Sequence, residues 1–222
     1  MKKKMIVFGL ILAFVGVSSL AFADTVQLRE LSVTPGTDVY IYAGGSLDKW
    51  LTTDAGNYNI EIAAPSPLAG IYASYCVDPA YSSTAYTEYA LLPIAEGSGY
   101  EAAAWILSQG YTSTNAVIAQ LAIWELVWDW STGIDFAIGE FRYGGTYAGS
   151  AATLAALAVS SIGASFDQSV YALAVSPASG EYYGVQYQDY IVPVPPVPEP
   201  AALLLLGVGL VGLAGVRRKF KG

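Results

Sequence analysis

Apolar and polar residues alternate in short runs within two regions of the chain, residues 26–78 and 170–192. Alternation with a period of two is typical of strands that bury one face. It predicts strands over 26–34, 38–43, 58–63, 71–78, 170–175 and 182–192. Glycine and proline residues interrupt these runs, as at Gly44 and Pro65, so we expect turns between the strands.

The middle of the chain has helical periodicity instead. Segments 98–109 and 114–130 are predicted helices, and 150–160 is a weaker, alanine-rich third one. Ser98 followed by Glu101 has the spacing of a capping box, and Thr114 or Asn115 is expected to cap the second helix. The sequence therefore predicts an α+β fold, in which antiparallel strands from both ends of one domain enclose a helical segment.

The strand predicted over 71–78 divides its side chains between two faces. One face carries the mainly apolar residues Ile71, Ala73, Tyr75 and Val77. The other face carries Tyr72, Ser74, Cys76 and Asp78. The only cysteine of the chain is therefore expected on the more polar face.

One glutamine is out of place on the second predicted helix. At 100° per residue, Gln120 lies in the middle of the apolar face, opposite Glu125 and Asp129. We expect the carboxylates to form a solvated face, with Asp129 and Asp135 as solvated caps of the turn that follows. A buried amide without hydrogen bonds costs about 1–3 kcal/mol, so Gln120 must be satisfied by a partner or consumed chemically.

Both ends of the chain differ from this central part. Residues 1–23 have the basic start, apolar stretch and Ala-Phe-Ala end of a secretory signal peptide. The exported domain is expected over 24–191, followed by a proline-rich spacer over 192–198 and a tail over 199–222. The tail contains an apolar span over 201–216 and a basic end. Such a span predicts a C-terminal membrane helix with its basic end in the cytoplasm.

The tail resembles the PEP-CTERM sorting signal of Gram-negative bacteria. The matching residues are Pro198, Glu199 and Pro200, followed by the apolar span and the arginine-rich end. The resemblance implies an exosortase-type processing enzyme as a partner. It also implies that the protein is anchored in the inner membrane before processing and then reaches the cell surface or the extracellular matrix.

Charge and composition exclude several function classes. Residues 24–191 hold seventeen acidic and three basic residues, a net charge of −14, so we expect no binding to nucleic acid. The chain has no histidine, which excludes serine–histidine triads and histidine-based zinc sites. A single cysteine cannot form an internal disulfide, and no cofactor is expected.

Cys76 and Gln120 have one chemical explanation in common. Attack of the thiol on the carboxamide, with loss of ammonia, would leave an internal thioester and remove both anomalies. The sequence here resembles the bacterial Cys–Gln thioester domain (TQXA-like) family. The residues that carry the resemblance are Tyr75, Cys76, Val77 and Asp78, followed by Gln120, Ile123 and Trp124. The family often has threonine before the glutamine, where this chain has Ala119.

The resemblance implies covalent attachment to a partner. An amine-bearing surface or matrix polymer would attack the Gln120 carbonyl and free Cys76, with Tyr75, Asp78 and Trp124 as surroundings of the bond. Each molecule reacts once, so the protein is not expected to be an enzyme. This reading predicts a role in adhesion or in a biofilm matrix.

A plainer interpretation stands beside this one. A lone buried cysteine is usually a small apolar residue, and a buried glutamine usually bonds to backbone. The seventeen tyrosines are compatible with strand faces or with stacking on sugars. The alternative function is therefore a non-covalent structural or carbohydrate-binding protein of the extracellular matrix.

Overall fold

The computed structural model describes residues 25–44, 47–79, 83–163, 166–176 and 187–194. The predicted signal peptide, residues 195–198 of the predicted spacer and the C-terminal tail lie outside these residues.

The described residues form seven strands and three α-helices. The strands are β1 (Thr25–Ala43), β2 (Lys49–Ile62), β3 (Gly70–Cys76), β4 (Thr87–Pro93), β5 (Phe141–Arg142), β6 (Tyr171–Val175) and β7 (Tyr190–Pro193). The helices are α1 (Gly99–Ser108), α2 (Thr114–Trp128) and α3 (Ala148–Ser161). A short 3₁₀ helix, Gln168–Val170, precedes β6.

All seven strands belong to one antiparallel sheet, in the order β2-β3-β7-β6-β4-β1-β5. The long first strand pairs with β4 through residues 25–28 and with β2 through residues 28–43. Because β1 reaches both neighbours, six strands close into a ring, and β5 adds to the far end of β1. The described residues therefore form an α+β fold with an antiparallel sheet, as the sequence predicts.

The long first strand differs from the two strands predicted at 26–34 and 38–43. Pro35 lies between these two predicted strands and has no N–H for a ladder hydrogen bond. The register between β1 and β2 shifts between Thr34 and Thr37. The shift takes Pro35 out of the ladder and lets the strand continue, as a β-bulge does.

Helix α2 is central to the molecule. It packs against α1 and α3 on its flanks and against β1 and β2 of the sheet. Ten residues between Ala116 and Leu126 are buried, among them the polar Gln120 and Glu125. The core between helices and sheet includes Leu28, Ile41, Ile60, Ile106, Leu121 and Ile123.

The helix caps follow the prediction in α1 and depart from it in α2. Ser98 accepts a hydrogen bond from the Glu101 amide at 3.2 Å, and the Glu101 carboxylate accepts one from the Gly97 amide at 2.5 Å. In α2 the N-cap is Ser113, with φ at 54° and no side-chain cap bond. Neither Thr114 nor Asn115 caps this helix, so its start is determined by packing of the apolar residues rather than by a cap.

The predicted C-terminal strand over 182–192 is described only in part. β7 begins at Tyr190 and runs through Pro193, two residues into the predicted spacer. The Val194 amide then donates to the Val170 carbonyl at 2.7 Å. Strand β7 therefore extends two residues past 191, where the exported domain is predicted to end.

The predicted membrane helix over 201–216 falls outside the described residues. Within the part of the chain that is described, no helix has the length and apolar character needed to cross a bilayer.

Candidate functional site

Cys76 lies at the end of β3, where this strand passes between β2 and β7. Its backbone pairs with that of Tyr190 in β7. The burial of β3 changes along its length: Ile71 is 65% exposed, whereas Ser74, Tyr75 and Cys76 are fully buried. The expected division into an apolar and a polar face therefore does not decide burial here, because the end of β3 is covered on both sides.

Gln120 of α2 meets Cys76 at this point. The Gln120 Nε2 donates to the Cys76 carbonyl oxygen at 2.7 Å, and the Cys76 thiol donates to Gln120 Oε1 at 3.5 Å. Both side chains are fully buried. The structure thus brings together the two residues that the sequence singled out, and it satisfies both ends of the buried amide.

The surroundings keep the thiol protonated. Burial raises the pKa of Cys76 well above its usual value, and the negative charge of Asp78 raises it further. The Tyr58 hydroxyl and the Trp124 indole N–H act in the opposite direction, since both lie close enough to the sulfur to favour the thiolate. Burial is the largest of these effects, so the resting group is the thiol that donates to Gln120.

The Trp124 indole nitrogen is buried and has no hydrogen bond of ordinary geometry. Its ring packs against that of Phe141, with centroids 5.9 Å apart. Trp128, one turn further along α2, donates its N–H to the Val77 carbonyl at 3.0 Å. Two tryptophans, one turn apart on α2, therefore flank the end of β3, and the N–H of Trp124 lies beside the cysteine without a hydrogen bond of ordinary geometry.

The other two predicted surrounding residues bind backbone. The Tyr75 hydroxyl donates to the Tyr111 carbonyl at 3.4 Å and ties β3 to the loop between α1 and α2. Asp78 accepts a hydrogen bond from the Asp189 amide at 3.3 Å. Asp78 therefore holds the segment before β7, and its negative charge raises the pKa of Cys76.

The carboxylates on the far side of α2 are not solvated, which corrects the predicted polar face. Glu125 and Asp129 are almost completely buried. Asp129 accepts hydrogen bonds from the Glu140 and Phe141 amides, each at 2.8 Å, and Glu125 accepts one from the Asp135 amide at 2.6 Å. The chain after α2 folds back over this face, so the carboxylates hold a loop where water was expected.

Sequence reasoning missed two tyrosines beside the pair. Tyr58 of β2 and Tyr190 of β7 are buried, with ring centroids 5.9 Å apart. Burial, and then the neighbouring Cys76, raise the pKa of each of these hydroxyls. Their positions depend on the pairing of β3 with both strands, so no local pattern in the sequence distinguishes them from the other tyrosines.

Among the residues that the structure describes, no cluster of three or more cysteine and carboxylate side chains is placed to hold a metal ion. The reactive groups at the site are the Cys76 thiol and the Gln120 carboxamide, with hydrogen-bond donors around them.

The comparisons with known proteins concern the C-terminus. The PEP-CTERM protein-sorting motif matches residues 196–219, which include Pro198, Glu199 and Pro200. No curated protein and no solved structure matches the chain. The motif indicates an exported protein that exosortase sorts, made as a C-terminally membrane-anchored precursor and processed on its way to the cell surface.

Proposed function

We propose that the domain carries an internal thioester between Cys76 and Gln120 and uses it to bond covalently to an amine-bearing partner at the surface of a Gram-negative cell or in its matrix. The observation that supports this proposal is the double contact between the two side chains. It places the sulfur against the carboxamide whose carbon it would attack. Proximity of this kind is the main requirement of an intramolecular acyl transfer.

The first step forms the thioester. The Cys76 sulfur bonds to the Gln120 Cδ, the bond from Cδ to Nε2 breaks, and the thiol proton leaves with this nitrogen as ammonia. In the second step the amine of the partner attacks the same carbon. A new amide bond forms, the bond from Cδ to sulfur breaks, and one amine proton restores the thiol. Each molecule reacts once, so the process is attachment and not turnover.

The test is the intact mass of the purified, processed protein. It should be lower than the sequence mass by one ammonia, and methylamine should add its own mass to this reduced value and free a thiol. Cys76→Ala and Gln120→Ala should each abolish the deficit. Gln109 is the matched control, because its side chain is exposed at the end of α1. Gln109→Ala should keep the deficit.

A protein of full mass with one free thiol, obtained under native conditions, would contradict the thioester. The contact between Cys76 and Gln120 would then be structural, between a buried cysteine and a hydrogen-bonded glutamine, as the alternative interpretation expects.

A separate feature favours non-covalent binding of carbohydrate as a second candidate function. Tyr40 and Trp50 lie on neighbouring strands, are 61% and 47% exposed, and stack with ring centroids 5.2 Å apart. Exposed aromatic pairs of this size are typical of binding surfaces. Affinity electrophoresis against neutral polysaccharides, with Trp50→Ala compared with Tyr86→Ala at a different exposed tyrosine, tests it. Retardation that Trp50→Ala alone abolishes would support it, and unchanged mobility of the wild type would refute it.

A further inference from the structure

Trp124 has a buried donor close to the Cys76 sulfur. Its indole nitrogen makes no hydrogen bond of ordinary geometry, a costly state for an N–H group. Trp128 shows that the same helix can satisfy a buried indole, because its N–H reaches the Val77 carbonyl. A buried N–H without a well-formed hydrogen bond is unusual in a packed interior. The N–H of Trp124 lies beside the proposed reacting pair, Cys76 and Gln120, which offers an explanation.

The position of Trp124 on α2 explains the proximity. It follows Gln120 by four residues, so the two side chains lie on one face of the helix. Long side chains on a helix lean towards its N-terminus, which brings the indole over the turn that carries Gln120. Its N–H is close enough to the sulfur of Cys76 to favour the thiolate there.

The hydrogen bonds of the pair change during the reaction. Before it, the thiol donates to Gln120 Oε1. When the sulfur adds to Cδ, the thiol proton moves towards the departing nitrogen and Oε1 takes on negative charge. The oxygen therefore loses this donor at the moment when it most needs one. In the second step the charge moves to the departing sulfur, whose thiolate form the same indole N–H favours.

We infer that the indole N–H of Trp124 is the hydrogen-bond donor that stabilises the negative charge formed on Gln120 Oε1 and on the Cys76 sulfur during acyl transfer. The inference rests on the proposed thioester and adds an oxyanion donor to it. Removal of one such donor in other acyl-transfer sites lowers the rate on the order of 10²–10³-fold.

The test compares Trp124→Phe with Trp128→Phe in the full chain. Trp124→Phe keeps an aromatic ring and removes the N–H, and we expect thioester formation and the reaction with methylamine to slow by at least about tenfold. Trp128→Phe removes an N–H that is bonded to backbone at 3.0 Å, so its reaction rate should remain close to that of the wild type. Both rates are measured by intact mass against time: the ammonia deficit reports thioester formation, and its replacement by the methylamine adduct reports the second step. The urea midpoint of each variant is measured as well, so that a change in rate can be separated from a change in stability.

A second measurement covers the case in which Trp124→Phe does not fold. The indole ¹H–¹⁵N resonances of the wild type are recorded before and after reaction with methylamine. We expect the resonance of Trp124 to shift and that of Trp128 to stay. A Trp124 resonance that does not move, or a folded Trp124→Phe protein that reacts at the wild-type rate, overturns the inference while leaving the thioester intact. A wild type without the ammonia deficit overturns both.

Discussion

Gln120 and Cys76 contact each other twice, through the carboxamide nitrogen and the Cys76 carbonyl at 2.7 Å and through the thiol and Gln120 Oε1 at 3.5 Å. The two bonds fix the orientation of the carboxamide relative to the sulfur. They also connect the central helix to the end of β3, in the part of the core where both side chains are fully buried. A reaction at this pair therefore depends on access as well as on chemistry.

The first prediction concerns this access. Because Cys76 and Gln120 are fully buried, an amine would reach the proposed thioester only when the protein opens locally. We expect methylamine to react much faster than a lysine presented on a protein surface. Urea concentrations below the unfolding transition should accelerate both reactions. Reaction rates are measured by intact mass against time at each urea concentration.

The Gln120→Ala variant supplies the control for opening. It cannot form the thioester, so Cys76 remains a thiol that a maleimide can label. Its labelling rate should increase with urea in parallel with the wild-type reaction with methylamine, since both need the same opening. Rates that do not respond to urea, or equal rates for small and large amines, would contradict buried access.

The candidate pair was predictable from the sequence because each member is locally anomalous. Gln120 stands alone on an apolar helix face, and Cys76 is the only thiol of the chain. Both observations use only the period of a helix and a residue count. The meeting of β3 and α2 follows from the whole topology, so the sequence predicted the pair as a hypothesis and the fold supplied the contact.

Two of the failures of prediction have a common physical cause. Glu125 and Asp129 look like the solvated side of α2, yet the loop after this helix covers them and donates backbone amides to both. β4 was not predicted, although Tyr89 and Leu91 on it are buried. In both cases a distant segment decides burial, and a pattern read within one element contains no information about that segment.

Glu125 makes the stability of the fold depend on pH. Burial, with the charges of Asp129 and Asp135, raises the pKa of Glu125 to about 7 from its usual 4.5. Between these two values the folded protein holds a proton that the unfolded chain has released. The free energy of unfolding should therefore fall as pH rises through this range. Glu125→Gln should remove this part of the slope, on the order of 2–3 kcal/mol between pH 4 and pH 8.

Urea unfolding of wild type and Glu125→Gln at several pH values measures this difference. Glu88→Gln is the matched control, because it removes one charge from an exposed position on β4. It should keep the slope of the wild type. A Glu125→Gln slope that equals that of the wild type would show that Glu125 does not titrate in this range.

Asp129 organises the loop that leads from α2 to β5. Its carboxylate accepts hydrogen bonds from the Glu140 and Phe141 amides, so Asp129→Ala leaves two backbone donors without a partner, one of them buried. We expect a loss of about 2–4 kcal/mol in the free energy of unfolding. Faster hydrogen exchange should appear at these two amides.

Asp135 in the same loop provides the comparison. It accepts a hydrogen bond from the Ala137 amide at 3.0 Å but is exposed, so Asp135→Ala should cost less than about 1 kcal/mol, as surface substitutions usually do. If Asp129→Ala and Asp135→Ala lowered the free energy of unfolding equally, burial of the Asp129 hydrogen bonds would contribute nothing to stability.

The last prediction concerns the close approach of α1 and α2. A Cβ added to Gly99 would lie 2.0 Å from the Leu126 carbonyl oxygen, and backbone at this distance cannot move aside without shifting a helix. Gly99→Ala should therefore destabilise the protein by about 1–3 kcal/mol or more. Because α2 carries Gln120, the same shift should lower the fraction of molecules with the ammonia deficit.

Gly149→Ala in α3 is the control. A Cβ added there meets no atom within 4 Å, so the substitution should stabilise the protein by about 0.5–1 kcal/mol through helix propensity and leave the deficit unchanged. Urea midpoints and intact masses of the two variants, measured side by side, separate a steric effect from a general effect of replacing glycine. If Gly99→Ala were as stable as Gly149→Ala, α1 and α2 would not be in close contact at Gly99 and Leu126.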